Sequence, residues 1–175
     1  VIPPPDIGYQ LAGYTDGEGC FHIKRQKARR GRVNYACEFV INVRWDDREA
    51  LEFYREQTGI GTIYFVKRGN YDVVNAQPLA RWATTRRAEC VEIVSIFERY
   101  PLRTKKARDF AIWAQAVRYW NSDRPEGIAP LARWYQDIRD VRVFDPHVLP
   151  EVPEHEPIAA LFEWEAQSQD SERDT

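Results

Sequence analysis

The residues best placed to do chemistry lie close together near the amino terminus. Asp16 and Glu18 flank Gly17 directly after Ile7–Tyr14, a stretch that reads as a short helix capped by Asp6 and ended by the Asp16-Gly17-Glu18-Gly19 cluster. Ala12, Gly13 and Gly17 put almost no bulk on one helical face, so two such helices can pack backbone to backbone across a two-fold axis. An acid directly after that contact is brought near its symmetry mate, and two carboxylates that close repel unless divalent cations lie between them. A hard cation held by carboxylate and phosphate oxygens suits phosphodiester hydrolysis, because it activates water and stabilises the leaving oxygen. The bland alternative is that Asp16 and Glu18 only close a turn in solvent.

A second group is basic. Lys24, Arg25, Lys27, Arg29, Arg30 and Arg32 fall within nine residues, with no acid between Cys20 and Cys37. A hairpin this basic suits phosphate contact and major-groove readout by a β-ribbon, although charge runs are often only solvated tips. His22, His147 and His155 have no metal-ligand spacing, and Cys20, Cys37 and Cys90 form no CxxC pair, so the cysteines read as small buried residues. Ser-His-Asp, Cys-His and glycine-rich phosphate-loop patterns find no support.

These groups must be positioned by elements whose periodicity is legible. Residues 20–25 alternate as a strand with Phe21 and Ile23 on one face. Val33–Arg44 is a second strand with Cys37, Phe39, Ile41 and Val43 in phase, so that Glu38, Asn42 and Arg44 point the other way. A helix from Asp46 or Asp47 to Gln57 ends at Gly59-Ile60-Gly61. A hairpin follows with arms Thr62–Lys67 and Leu79–Arg86, a long loop over 68–78, and Trp82 inward. Helices are expected over Ala88–Arg99, Lys105–Trp120 and Ile128–Arg139. The order is αββαββα followed by two helices, an α+β fold with two hairpins.

Composition adds bounds. In 175 residues, 43% hydrophobic and 13% aromatic, there is enough apolar surface for one substantial core. Apolar runs are short and the amino terminus is neither basic nor hydrophobic, so a signal peptide and a membrane span are not expected, and a cytoplasmic or organellar-matrix protein is. The net charge of −2 hides an asymmetry: residues 145–175 hold nine acids against Arg173 alone, which leaves residues 1–144 at +6. A basic body with an acidic tail points to a nucleic-acid partner. The expected division is therefore a domain over 1–144 and a Pro-rich acidic extension over 145–175, with one amphipathic helix at Ile158–Gln167. That tail could cover the basic face or simply solubilise the chain.

Leu11-Ala12-Gly13-Tyr14-Thr15-Asp16-Gly17-Glu18-Gly19 resembles the LAGLIDADG motif of homing endonucleases at Leu11, Ala12, Gly13, Asp16 and Gly19, with Glu18 for the second Asp. The resemblance covers roughly residues 6–120 and implies a saddle-shaped sheet that meets DNA. It also implies a metal site at Glu18 with Gly17 beside it, Mg²⁺ as cofactor with Mn²⁺ able to substitute, and Glu18 as catalytic ligand. Pro101–Lys106 is similar to the family segment that brings a lysine into the pocket; Lys105 is the residue expected there, with Lys106 as its neighbouring alternative. A single motif implies a homodimer whose interface uses Leu11, Ala12, Gly13, Thr15 and Asp16, and hence a pseudo-palindromic duplex target. The hairpin bases together with Asn42, Arg44, Lys67, Arg68, Arg81 and Arg86 are the expected DNA contacts. One departure stands out: many relatives place a glutamine at the end of the second strand, where the best-matching position here is Trp45, with Arg44 as a substitute. The functions implied are an intron-encoded type of nuclease that leaves 3′ overhangs, an RNA maturase, or a DNA-binding regulator without catalysis.

Overall fold

A computed structural model describes residues 2–27, 31–67 and 77–143. Its elements run α1 (Pro5–Glu18), β1 (Gly19–Lys27), β2 (Val33–Arg44), a 3-10 turn (Trp45–Asp47), α2 (Arg48–Thr58), β3 (Thr62–Val66), β4 (Leu79–Thr84), α3 (Arg87–Arg99), α4 (Lys106–Trp120) and α5 (Ala129–Asp140). The four strands form one antiparallel sheet in the order β1-β2-β4-β3. This is the α+β architecture expected from the periodicity. Arg29, Arg30, Arg68 and the acidic extension lie outside the described residues. Among the described residues no helix is long and apolar enough to cross a membrane.

The first helix differs from its sequence reading at both ends. Its N-cap is Pro4 with no side-chain cap, and Asp6 lies inside the first turn. Proline at the first helical position has its φ preset and loses no hydrogen bond, so the helix starts at Pro5 and Asp6 faces the positive end of the dipole instead of capping it. At the other end the helix runs through Gly17 to Glu18. A helical glycine costs only about 1 kcal/mol against alanine, and burial of Gly8, Leu11, Ala12 and Thr15 along one side outweighs that cost. Termination comes at Gly19, whose backbone turns to an extended conformation while its N–H donates to the Thr15 carbonyl. A Cβ there would lie 2.5 Å from Thr15 Cγ2 and 2.7 Å from its carbonyl oxygen, so only glycine fits.

Strand alternation divides the sheet into two faces. Phe21, Ile23, Cys37, Phe39, Ile41, Ala80 and Trp82 enter the core with residues of all five helices. Phe21 is its hub, with ring contacts to Phe39, Phe97, Phe110 and Trp113. The two most deeply buried indoles have their N–H groups satisfied: Trp82 Nε1 donates to the Ile60 carbonyl at 2.8 Å and Trp113 Nε1 to the His22 carbonyl at 3.2 Å. Gly61, at φ 73°, lets the chain pass that indole, since a Cβ would lie 2.6 Å from Trp82 Nε1. Glu89 ties β4 and the α2–β3 link to α3, accepting from the Gly61 N–H at 3.1 Å, Thr84 Oγ1 at 2.5 Å and Arg86 Nη1 at 2.8 Å. Burial alone would raise its pKa; the three hydrogen bonds outweigh it and hold the carboxyl below its usual value.

Candidate active site and nucleic-acid face

Helix α1 ends where the sheet's second face begins, and this puts Glu18 in a cleft of about 420 Å³ lined by Tyr14, Asn42, Val43, Arg44, Asp47 and Leu79. Glu18 is exposed, and among the described residues no lysine or arginine pairs with it. A second carboxylate, Asp47, occupies the N-cap position of α2 but makes no side-chain cap bond, so it is free to line the cleft. Burial raises the Tyr14 pKa, and the negative charges of Asp47 and Glu18 raise it further, so its phenol stays protonated in an acidic surrounding.

The end of the second strand resolves into two different roles. Arg44 lines the cleft and pairs with Asp46. Trp45 turns away from it, edge to face with Phe65 at 4.9 Å between ring centroids and with the Arg48 guanidinium over its ring. The position facing Glu18 is therefore held by Arg44, with Asn42 two residues before it on the same face of the strand.

Asp16 is a tie between elements. Its carboxylate accepts from the Arg103 N–H at 2.7 Å, the Thr104 N–H at 3.2 Å and Thr104 Oγ1 at 2.7 Å. That fixes the loop before α4 against the end of α1. Lys106, in the first turn of α4, then reaches back so that its Nζ donates to the Gly19 carbonyl. Lys105 is exposed and makes no such contact. The structure thus brings Lys106 to the motif, and not Lys105 as expected from the segment, because the loop anchored by Asp16 aims only the later residue inward.

The expected interface residues divide as well. Leu11, Ala12 and Thr15 are buried within this chain, and Thr15 Oγ1 has no hydrogen-bond partner among the described residues. Their side chains pack on the sheet and not outward. Gly13 and Gly17 are exposed, and a Cβ on either would meet nothing within 4 Å. Gly8 makes the contrast, because a Cβ there would lie 2.2 Å from the Tyr100 ring. Smallness at Gly8 and Gly19 is explained inside the chain; at Gly13 and Gly17 it is not.

The second sheet face has a floor of Ala36, Val40 and Ala83, from which Lys24, Arg44, Arg81 and the exposed Tyr64 rise. At its centre lies Glu38, 4% exposed, paired to Lys24 Nζ at 2.7 Å and Arg81 Nη2 at 3.0 Å. His22 sits opposite Glu38 on β1. Burial lowers its pKa against the pull of Glu38, and the positive charges of Arg142, Lys24 and Arg81 lower it further, which keeps the imidazole neutral at neutral pH. The other expected contacts scatter. By alternation Arg25 and Lys27 fall on the side of Phe21 and Ile23; Arg32 and Lys67 are exposed beside the strand ends; Arg86 pairs with Glu89. The sequence does not single out Glu38, Asp47 or Tyr14 for the site, and it offers Lys106 only as the alternative to Lys105. An acid in phase on an otherwise basic strand pair was a signal for Glu38; nothing local marks Asp47 or Tyr14.

Helix α1 thus carries an open small-residue face and, at its end, a carboxylate that is unpaired among the described residues, beside a charged antiparallel sheet. The sequence profile of the LAGLIDADG endonucleases matches residues 11–117, and the chain belongs to that family. It is 30% identical over 106 residues to a probable intron-encoded endonuclease of Schizosaccharomyces pombe, covering 61% of this chain and 26% of that protein. It is also 30% identical over 114 residues to a probable intron-encoded endonuclease of Neurospora crassa, covering 63% and 20%. The chain therefore spans about a quarter or less of the curated relatives it matches. Among solved structures it resembles the meganuclease I-AabMI bound to uncleaved DNA, with TM-score 0.60, 27% identity, and 73% of this chain and 43% of that one covered. The archaeal intron-encoded endonuclease I-Vdi141I complexed with DNA shares the fold at TM-score 0.64 and 20% identity, with 83% and 89% covered.

Proposed function

We propose that this chain is one unit of a homodimeric homing endonuclease that makes site-specific double-strand breaks in a long pseudo-palindromic DNA target, leaving 3′ overhangs. The observation that carries the reading is the pairing of two features on α1: the open face at Gly13 and Gly17, and the carboxylate of Glu18 at its end, unpaired among the described residues. Glycine in a helix interior is a cost with no return inside this chain, and the close approach of a second copy of the same helix supplies the return.

Among the described residues no three His, Cys, Asp or Glu side chains cluster as a complete metal site. That suits Mg²⁺, which is commonly held by one or two carboxylates together with substrate phosphates. The residues present fit it: Glu18 and the Gly17 carbonyl would hold the ion, and when bound it supplies the charge that acidifies a water and neutralises the leaving oxygen, a role Mn²⁺ can also fill. The chain's own part is to place charges around that point. Arg44 and Lys24 face the duplex and offset its phosphates, and Lys106, tethered by Asp16 through the 103–106 loop, sets a cation at the motif's last carbonyl. Such a protein works where DNA is, in cytoplasm or organellar matrix.

Lys106→Ala is expected to slow cutting about a hundredfold, the scale of losing one positioned electrostatic group. Lys105→Ala should cost less than about threefold, since its side chain stays in solvent. Single-turnover rates on a cut duplex measure both, and the reverse ranking would return the role to Lys105. The function itself is tested by incubating the chain with a randomised duplex library in Mg²⁺ and sequencing the cut ends. Cut ends that converge on one pseudo-palindromic site with 3′ overhangs are the expected result. Enrichment of bound but intact duplexes would leave a DNA-binding regulator, and neither binding nor cutting would turn the search to RNA, as for a maturase.

A further inference from the structure

One feature of the sheet's second face runs against its charge. A surface meant for a polyanion gains from every base and loses from every acid, and yet Glu38 stands at its middle, buried, with both carboxylate oxygens engaged. Removing a carboxylate from water is costly unless it is fully paired, and such a pair seldom adds stability over apolar packing. Neither affinity nor stability accounts for it. Geometry does. Arg81 and Glu38 are not cross-strand partners: Arg81 stands opposite Asn42, with the small Ala83 between Arg81 and the level of Glu38. The arginine therefore lies along the sheet over Ala83 to reach Glu38, and one of its two amino groups is held at 3.0 Å. Its side chain remains 30% exposed. Beside it opens a pit of about 200 Å³ lined by Glu38, Tyr64, Arg81, Ala83, Thr84 and Thr85.

A guanidinium held by one amino group keeps its remaining N–H donors in a fixed fork, and a fixed fork presented from a β-ribbon matches the O6 and N7 acceptors of guanine in the major groove. We infer that Glu38 is a positioning residue that locks Arg81 to read a guanine, so that each half-site carries one required G·C pair. Lys24, held by the other oxygen of Glu38 from the opposite side of β2, keeps the carboxylate in place and adds a phosphate-seeking charge. This rests on the reading of the chain as a duplex-DNA binder.

The test selects bound duplexes from a randomised library with the full chain and with Arg81→Lys, Glu38→Gln and Arg81→Ala. It then measures binding of each to a selected duplex and to single-pair variants of it across a salt series. The full chain should prefer G·C at one position per half-site by roughly tenfold to a hundredfold, the range for one bidentate base contact. Arg81→Lys keeps the charge and loses the fork, so it should erase that preference while the salt dependence stays unchanged. Glu38→Gln should relax the same position and no other, with binding to the relaxed site as strong as before or stronger. Retention of the preference in Arg81→Lys overturns the assignment even where Glu38→Gln fails to fold. So does loss of affinity by Glu38→Gln equally at every sequence with a lowered melting temperature, which is what a merely structural acid would give. If the full chain enriches no duplex at all, the DNA-binding reading itself has failed, an outcome distinct from binding without that G·C position.

Discussion

Glu18→Gln is expected to lower the rate of strand cleavage about a thousandfold while leaving the fold and the grip on duplex DNA in place. The amide has the size and shape of the carboxylate and lacks only its charge. Glu18 is exposed and pairs with no base among the described residues, so folding does not depend on that charge. Binding should not suffer either, because removing a negative charge from a surface that meets phosphates is neutral or favourable. What is lost is the one carboxylate of α1 that reaches the cleft, and a main electrostatic contributor of this kind accounts for about two to three orders of magnitude in rate. The measurement pairs single-turnover cutting in Mg²⁺ with a gel-shift titration of the same duplex. Cutting at the unaltered rate would remove Glu18 from its role; loss of binding and cutting together would mean that the side chain holds the site's shape instead.

Gly13→Leu is expected to convert the protein to a monomer, with cutting abolished, and to leave the single chain at least as stable as before. Inside the chain a Cβ at position 13 meets open space, and leucine gains up to about 1 kcal/mol over glycine in a helix. Between two copies the same side chain would push the helices apart by the bulk of an isobutyl group and deny the contact its close approach. Sedimentation at micromolar concentration reads the mass, and thermal melting reads the chain. Gly8→Leu serves as the opposite control, because a Cβ there runs into the Tyr100 ring and the fold itself should fail. A dimer that survives Gly13→Leu would show that α1 does not join the copies.

The two substitutions also mark where the sequence stopped being readable. Both involve residues of one short motif, and their types alone identified it: small residues at helical spacing and an acid behind them are properties of neighbours in the chain. The strands were legible for the same reason. Alternation of Phe21 with Ile23, and of Cys37 with Phe39, Ile41 and Val43, is local, and it assigned Glu38, Asn42 and Arg44 to the second face, where the sheet register places them. The extent of α1 was not legible, because glycine's local preference against helix was weighed without the burial of Leu11, Ala12 and Thr15 that overrides it.

What only the tertiary structure decided depends on pairs far apart in the chain. Lys106 rather than Lys105 meets the motif because Asp16, 87 residues before Arg103, anchors the loop that precedes α4. Arg44 rather than Trp45 faces Glu18 because Phe65, from another strand, draws the indole to the other side. Glu38 looked like one more solvent-facing strand residue until Lys24 and Arg81 closed over it from two different strands. Residue types and periodicity by themselves therefore determined the order of elements and the catalytic candidate, since each is written within a few residues. Which side chains share the pocket was decided by packing, because the energy that selects one rotamer or one lysine over its neighbour comes from atoms that the linear pattern does not bring together.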